Sequence, residues 1–130
     1  MVTKPFSDGS AFEALAGYSR AVRRGAHIAV SGTTANDGHG GVLHPGDAGA
    51  QTAAALRHGI AAIEALGGSI ADVVRTRVFL APDVDWAAAA ASHALVFGDI
   101  RPANTTLHIH SLIGDDFLVE IEIDAIVDPS

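Results

Sequence analysis

The sequence predicts an α+β fold, in which one mixed sheet carries two helices on a single face. Three observations lead there. Short stretches rich in valine, isoleucine and threonine recur along the chain. Two alanine-rich segments with helical character fall between them, and glycine or proline punctuates the junctions. The resulting order is β-β-α-β-α-β-β, and two strand–helix–strand crossovers imply parallel pairings while the terminal hairpins are antiparallel.

Each element has its own signal. "YSRAVRRGAHIAVSGTT" reads as two strands turning at Gly25, with Ile28 and Val30 alternating in the second. Residues 35–47 hold glycine, asparagine, aspartate and proline at loop density. Asp47 is the N-cap expected for a helix running to about Leu66, with Leu56, Ile60 and Ile63 as its apolar stripe and Gly67-Gly68 as its stop. "DVVRTRVFLA" is the clearest strand. After Pro82, Asp83 or Asp85 caps a second helix through "WAAAAASHALVF", which ends at Gly98. "RPANTTLHIH" is a strand with one polar row, a turn follows at 114–116, and "FLVEIEIDAIV" is the last strand. A sheet covered on one face leaves the other open, and in a chain of 130 residues the natural partner for it is another copy.

Composition narrows the function. One domain over residues 1–130 is expected, with 48% apolar residues and a core that needs no staples. Having no cysteine, the chain forms neither disulfides nor thiolate zinc sites. A net charge of −7 opposes nucleic-acid binding, and Arg20, Arg23 and Arg24 lack the interleaved aromatics of a base-stacking surface. With neither a signal peptide nor a membrane-length apolar run, the reading is a soluble, cytoplasmic protein.

Several side chains carry chemistry. Glu120, Glu122 and Asp124 share one face of the last strand, either as a solvated row or with one acid in a cleft, where burial raises its pKa and fits it to relay protons. Three like charges at this spacing call for a basic neighbour, which Arg75, Arg77 or Arg101 supplies. Arg75 and Arg77 themselves read either as ion-pair partners of that row or as a carboxylate clamp. His108 and His110 lack a third ligand, so no metal is expected. "DGHGG" matches neither phosphate-loop pattern, and no serine sits in a nucleophile elbow.

Taken in order and spacing, "GYSRAV" (17–22), "HIAVSGTT" (27–34), "ADVVRTRVFL" (71–80), "RPANTTL" (101–107) and "LVEIEIDAI" (118–126) resemble the RidA (YjgF/YER057c/UK114) family over nearly the whole chain from Gly17. The resemblance implies a chorismate-mutase-like fold, homotrimers, and small-molecule clefts between subunits. It implies hydrolysis of reactive imines or enamines to 2-oxo acids and ammonia, without a cofactor. Carried over residue by residue, it makes Glu122 the acid that positions water or relays protons and Tyr18 a substrate-binding residue. Ser31 and Gly32 supply backbone at the cleft, and Asn104 and Thr106 meet the polar end of the ligand. The family's deaminases carry "PAR" where this chain has "PAN", so Asn104 stands in place of their carboxylate-clamping arginine. Asparagine offers a neutral amide on a shorter stem, which is not a conservative exchange. Arg101, Arg75 or Arg77 is then the compensating cation. The expected function is an imine or enamine hydrolase, the alternative is a non-catalytic trimer that binds a small ligand or a protein, and ribonuclease or translation-inhibitor activity ranks behind both.

Overall fold

The computed structural model describes residues 2–129. Its elements are β1 (Thr3–Phe6), α1 (Ala11–Ala16), β2 (Ala21–Arg24), β3 (His27–Thr34), α2 (Ala48–Ala65), β4 (Val73–Leu80), α3 (Trp86–Phe97), β5 (Ala103–His108) and β6 (Val119–Ile126), with a 3-10 turn at Ile70–Asp72. Six strands form one sheet in the order β1-β2-β3-β6-β4-β5. All neighbouring pairs are antiparallel except β4 with β5, which α3 joins as a parallel crossover.

The predicted order lacks β1 and α1. β1 contains Pro5, which a strand tolerates at a sheet edge, and β1 is an edge strand. α1 is only six residues long, but its ends are well marked: the Ser10 hydroxyl accepts from Phe12 N–H, and Gly17 closes it at φ 76°.

The expected terminal hairpin is also corrected. β6 does not pair with β5; it enters between β3 and β4. The burial pattern gives the reason. Val119, Ile121, Ile123 and Ala125 are all fully buried, whereas every residue of β5 is exposed. The apolar stripe therefore takes the centre and the polar strand the edge. With β6 interposed, the first crossover sets β3 and β4 parallel in direction without pairing them.

Both long helices start as predicted. Asp47 accepts from Ala50 N–H at 3.0 Å, and Asp85, rather than Asp83, accepts from Ala87 N–H at 3.0 Å. α2 buries Leu56 and Ile63 against β3 and β6, and α3 packs beside it through Ala89 and Phe97. Gly59 lets α2 come close to the sheet: a Cβ there would lie 2.7 Å from Ile123 Cδ1. The opposite face of the sheet carries Glu120, Glu122 and Asp124, all half-buried, with no layer of this chain's secondary structure over them. Among the described residues, no helix is long and apolar enough to cross a membrane.

Candidate active-site cleft

The cleft begins at a defect in β3. Between Val30, opposite Ile123, and Thr33, opposite Ile121, two residues of β3 face a single residue of β6. Ser31 and Gly32 form that bulge, and such irregularities bend a strand and re-aim its side chains. The Ser31 hydroxyl donates to Ser19 O at 2.6 Å, and its N–H donates to Arg20 O at 2.9 Å, which pins the chain leading out of Tyr18. Gly32 leaves the space that the Glu120 carboxylate occupies. A Cβ there would overlap the Glu120 carboxylate and lie 3.1 Å from its Cδ.

Arg20 fills the floor. Its Nη1 donates to Gly32 O and, at 3.0 Å, to Thr33 Oγ1, and its Nη2 donates to the Tyr18 hydroxyl at 3.1 Å. Thr33 passes the bond on, donating to Ser31 O at 2.7 Å. Tyr18, Arg20, Gly32, Ile113, Phe117 and Glu120 line a cavity of about 590 Å³, a size that suits a small molecule. Glu120 titrates above its ordinary 4.5: burial raises it, the Arg20 charge partly offsets this, and Glu122 pushes it higher. A carboxyl raised in this way holds its proton more readily than a solvated one, which fits it to relay protons.

The sequence-predicted residues divide between two places. Tyr18 and Gly32 line the cleft, while Ser31 stands next to Gly32 in the bulge with its hydroxyl turned to Ser19 O. Glu122 lies one step along β6 from Glu120, opposite the bulge, with its Oε1 3.6 Å from Arg77 Nη1. Arg77 also donates to Asp124 Oδ2 at 3.3 Å, so it serves as the basic neighbour of the acidic row. Arg75 and Arg101 are exposed, and Arg101 sits in the αβ connection at φ 56°.

Asn104 and Thr106 lie on edge strand β5 and face the helices. Asn104 Nδ2 donates to Thr76 Oγ1 at 3.0 Å, Thr106 donates to Asn104 Oδ1 at 2.9 Å, and Thr76 lies 2.8 Å from His93 Nε2. Thr76 is fully buried, so this chain of polar groups runs into the core below α3. Within one chain these two residues do not meet Tyr18. His108 donates to Val84 O at 2.8 Å, and no metal-holding group of histidines and acids occurs among the described residues.

Two residues that line the cleft were not singled out in the sequence. Arg20 read as part of a basic cluster, yet it points inward, while Arg23 turns away to donate to Leu66 O at the end of α2. The available signal was parity, since Arg20 is two residues from Tyr18 in the segment entering β2. Glu120 stood in the acidic row, but only the fold shows which member of that row reaches the cavity.

A family model described as Endoribonuclease L-PSP matches residues 8–127. The chain belongs to this family. A crystal structure of a YjgF/YER057c/UK114 family member from Mycobacterium tuberculosis superposes with a TM-score of 0.86 at 41% identity, covering 97% of this chain and all (100%) of that one. An uncharacterised protein of Streptomyces coelicolor is 37% identical over 118 residues, which is 90% of this chain and 87% of its own length. A RutC family protein of Pyrococcus horikoshii is 32% identical over 105 residues, 81% of this chain and 82% of its own. The L-PSP family match spans the strands that build the bulge, the cleft acid and β5 alike.

Proposed function

We propose that this L-PSP family member is a hydrolase acting on a small imine or enamine at the Tyr18–Gly32–Glu120 cleft. The observation that carries this reading is the position of Glu120, a carboxyl with a raised pKa that lines a cavity of about 590 Å³ beside a tyrosine hydroxyl and a buried guanidinium. An imine carbon is electrophilic once its nitrogen is protonated, so no cofactor is needed. Glu120 accepts a proton from water as the water oxygen bonds to that carbon, then returns it to nitrogen. Glu120, ionised again, takes the hydroxyl proton of the resulting carbinolamine as the carbonyl forms and the C–N bond breaks, releasing ammonia. Burial is the main cause of Glu120's raised pKa, and the charge of Glu122, the acid to which the family resemblance points, adds to it.

The open sheet face is the surface through which copies assemble, as a homotrimer in this reading. Assembly would also be the way for Asn104 and Thr106 of β5 to approach the cleft, from a neighbouring copy. Binding of RNA is disfavoured by the net charge of −7 and by the use of Arg20 and Arg23 inside the fold.

The test is to generate 2-iminopropionate in situ and follow its loss. Wild type accelerates hydrolysis, and Glu120→Gln lowers the rate by about 10²-fold or more, the usual contribution of a positioned acid–base. Glu122→Gln has the smaller effect. Activity confined to Asn104→Arg would sink native action on 2-imino acids, and no activity in either would leave the ligand-binding trimer as the better reading.

A further inference from the structure

Arg20 is 8% exposed, and a buried guanidinium with unused donors calls for an explanation. Three of its five N–H groups are accounted for by Gly32 O, Thr33 Oγ1 and the Tyr18 hydroxyl. Nε has no hydrogen-bond partner, and one hydrogen of Nη2 is left over. The nearest acid to Nε is Asp8, whose Oδ2 lies 3.4 Å away. That is longer than the roughly 2.7–2.9 Å of a charge-assisted N–H···O bond. Asp8 is thus a counter-ion placed at Arg20 without closing on it.

The Oδ2 end of Asp8 is placed to turn away, while Oδ1 accepts from Ser10 N–H at 3.0 Å. Asp8 sits in the connection between β1 and α1, its carboxylate is 34% exposed, and its backbone is held independently through N–H to Glu13 Oε2 at 3.2 Å. Asp8 and Arg20 line both the cleft and a second cavity of about 330 Å³ that shares Asn36 and Gly38 with it, so there is space on either side of the pair.

We propose that Arg20 is the anion-recognition residue of the cleft, taking a ligand carboxylate on its Nε and Nη2 hydrogens as Asp8 gives way. This rests on the reading of the cleft as the ligand site, and it specifies the ligand's chemistry: a carboxylate within reach of Arg20 and a reacting carbon toward Glu120. It also locates the cation. The arginine comes from the start of β2 in the same chain, and none is required of β5, where Asn104 is already tied to Thr76 and Thr106. Asp8 then acts as an internal competitor that sets how tightly an anion is held.

The experiment is a ¹H–¹⁵N NMR titration with pyruvate and with its neutral amide, pyruvamide, at fixed ionic strength. Pyruvate is expected to shift the Gly32 amide and the Arg20 Nε–H signal, and to bind at least about tenfold more tightly than pyruvamide, the scale of a hydrogen bond to a charged group. Arg20→Gln disrupts the hydrogen bonds to Gly32, Thr33 and Tyr18 and risks unfolding, so Asp8→Asn is the more informative variant. It retains the side-chain oxygen that accepts from Ser10 N–H. It should tighten pyruvate several-fold and leave pyruvamide unchanged. Equal binding of the two probes, unchanged pyruvate affinity in Asp8→Asn, or no shift at the cleft would each overturn the proposal. Selectivity for pyruvate in a protein that does not hydrolyse imines would instead refute the catalytic reading and leave the role of Arg20 standing.

Discussion

Gly32→Ala separates the cleft's chemistry from the fold's stability. The new Cβ overlaps the Glu120 carboxylate and comes within 3.1 Å of its Cδ, while no other group lies as near. Glu120 must therefore rotate away, and as the end of a flexible, half-buried side chain it is able to do so. Moving a side chain off its preferred rotamer costs about 0.5–1.5 kcal/mol. Replacing glycine by alanine at a compatible backbone position returns about 0.4–1 kcal/mol through the unfolded chain. Gly32 is not in the left-handed region, so the backbone adds no strain. The two contributions nearly cancel, and the urea midpoint should move by an amount equivalent to less than about 1 kcal/mol. Activity should not survive so well. A carboxyl displaced by even about 1 Å from its working position loses on the order of 10²-fold in rate. The assay pairs urea unfolding with hydrolysis of 2-iminopropionate generated in situ. A stable Gly32→Ala protein with wild-type turnover would refute the placement of the catalytic acid at Glu120.

Other consequences reach the core and the titrating groups. Gly59→Ala drives a Cβ to 2.7 Å from Ile123 Cδ1 and 3.3 Å from Ile121 Cδ1. Overpacking of about 1–3 kcal/mol then exceeds the helix-propensity gain of about 1 kcal/mol, so the melting temperature should fall; a rise would show that α2 can lift off the sheet. His93 titrates below its ordinary 6.5 because burial disfavours its charged form. Its contribution to stability is therefore complete above 6.5 and is lost as pH falls through the lower native value. Urea midpoints on either side of that range should show the loss in wild type and a smaller one in His93→Gln. Glu120 has the opposite sign, because its native pKa lies above 4.5. The native state holds the proton more tightly, and stability falls as pH rises through the raised value, so Glu120→Gln should gain on wild type over that interval and a constant difference would contradict the burial.

The parts of the fold that were legible in the sequence were those fixed by local chemistry. Asp47 and Asp85 are short side chains that reach the next turn's N–H groups, and Leu56 and Ile63 recur at helical spacing, so both long helices start where their residues say. Strand order was not legible. The placement of β6 between β3 and β4 depends on how much apolar surface each strand buries against two helices, a competition among distant segments. β1 and α1 are short, and the signal of β1 was weakened by Pro5.

The site follows the same division. Tyr18, Ser31 and Gly32 could be named because they lie in contiguous motifs, and the structure sets Tyr18 in the same cavity lining as Gly32 of the Ser31-Gly32 bulge. Choosing among Glu120, Glu122 and Asp124 required the register against β3 and β4, which decides that Arg77 takes two of them and the cavity takes the first. Arg20 was concealed by its neighbours in sequence, since only the packing distinguishes the inward arginine from Arg23 and Arg24. Asn104 was read as the head of a ligand-facing row, and within one chain its amide bonds to Thr76 and Thr106.

The most direct test of the central claim is a crystal structure of this protein with 2-oxobutyrate, a stable analogue of the product class. The ligand should lie between Tyr18 and Gly32, with its carbonyl carbon within about 3.5 Å of the Glu120 carboxylate, the approach that proton transfer and water attack require. An ordered ligand bound elsewhere, touching none of Tyr18, Gly32 and Glu120, would contradict it.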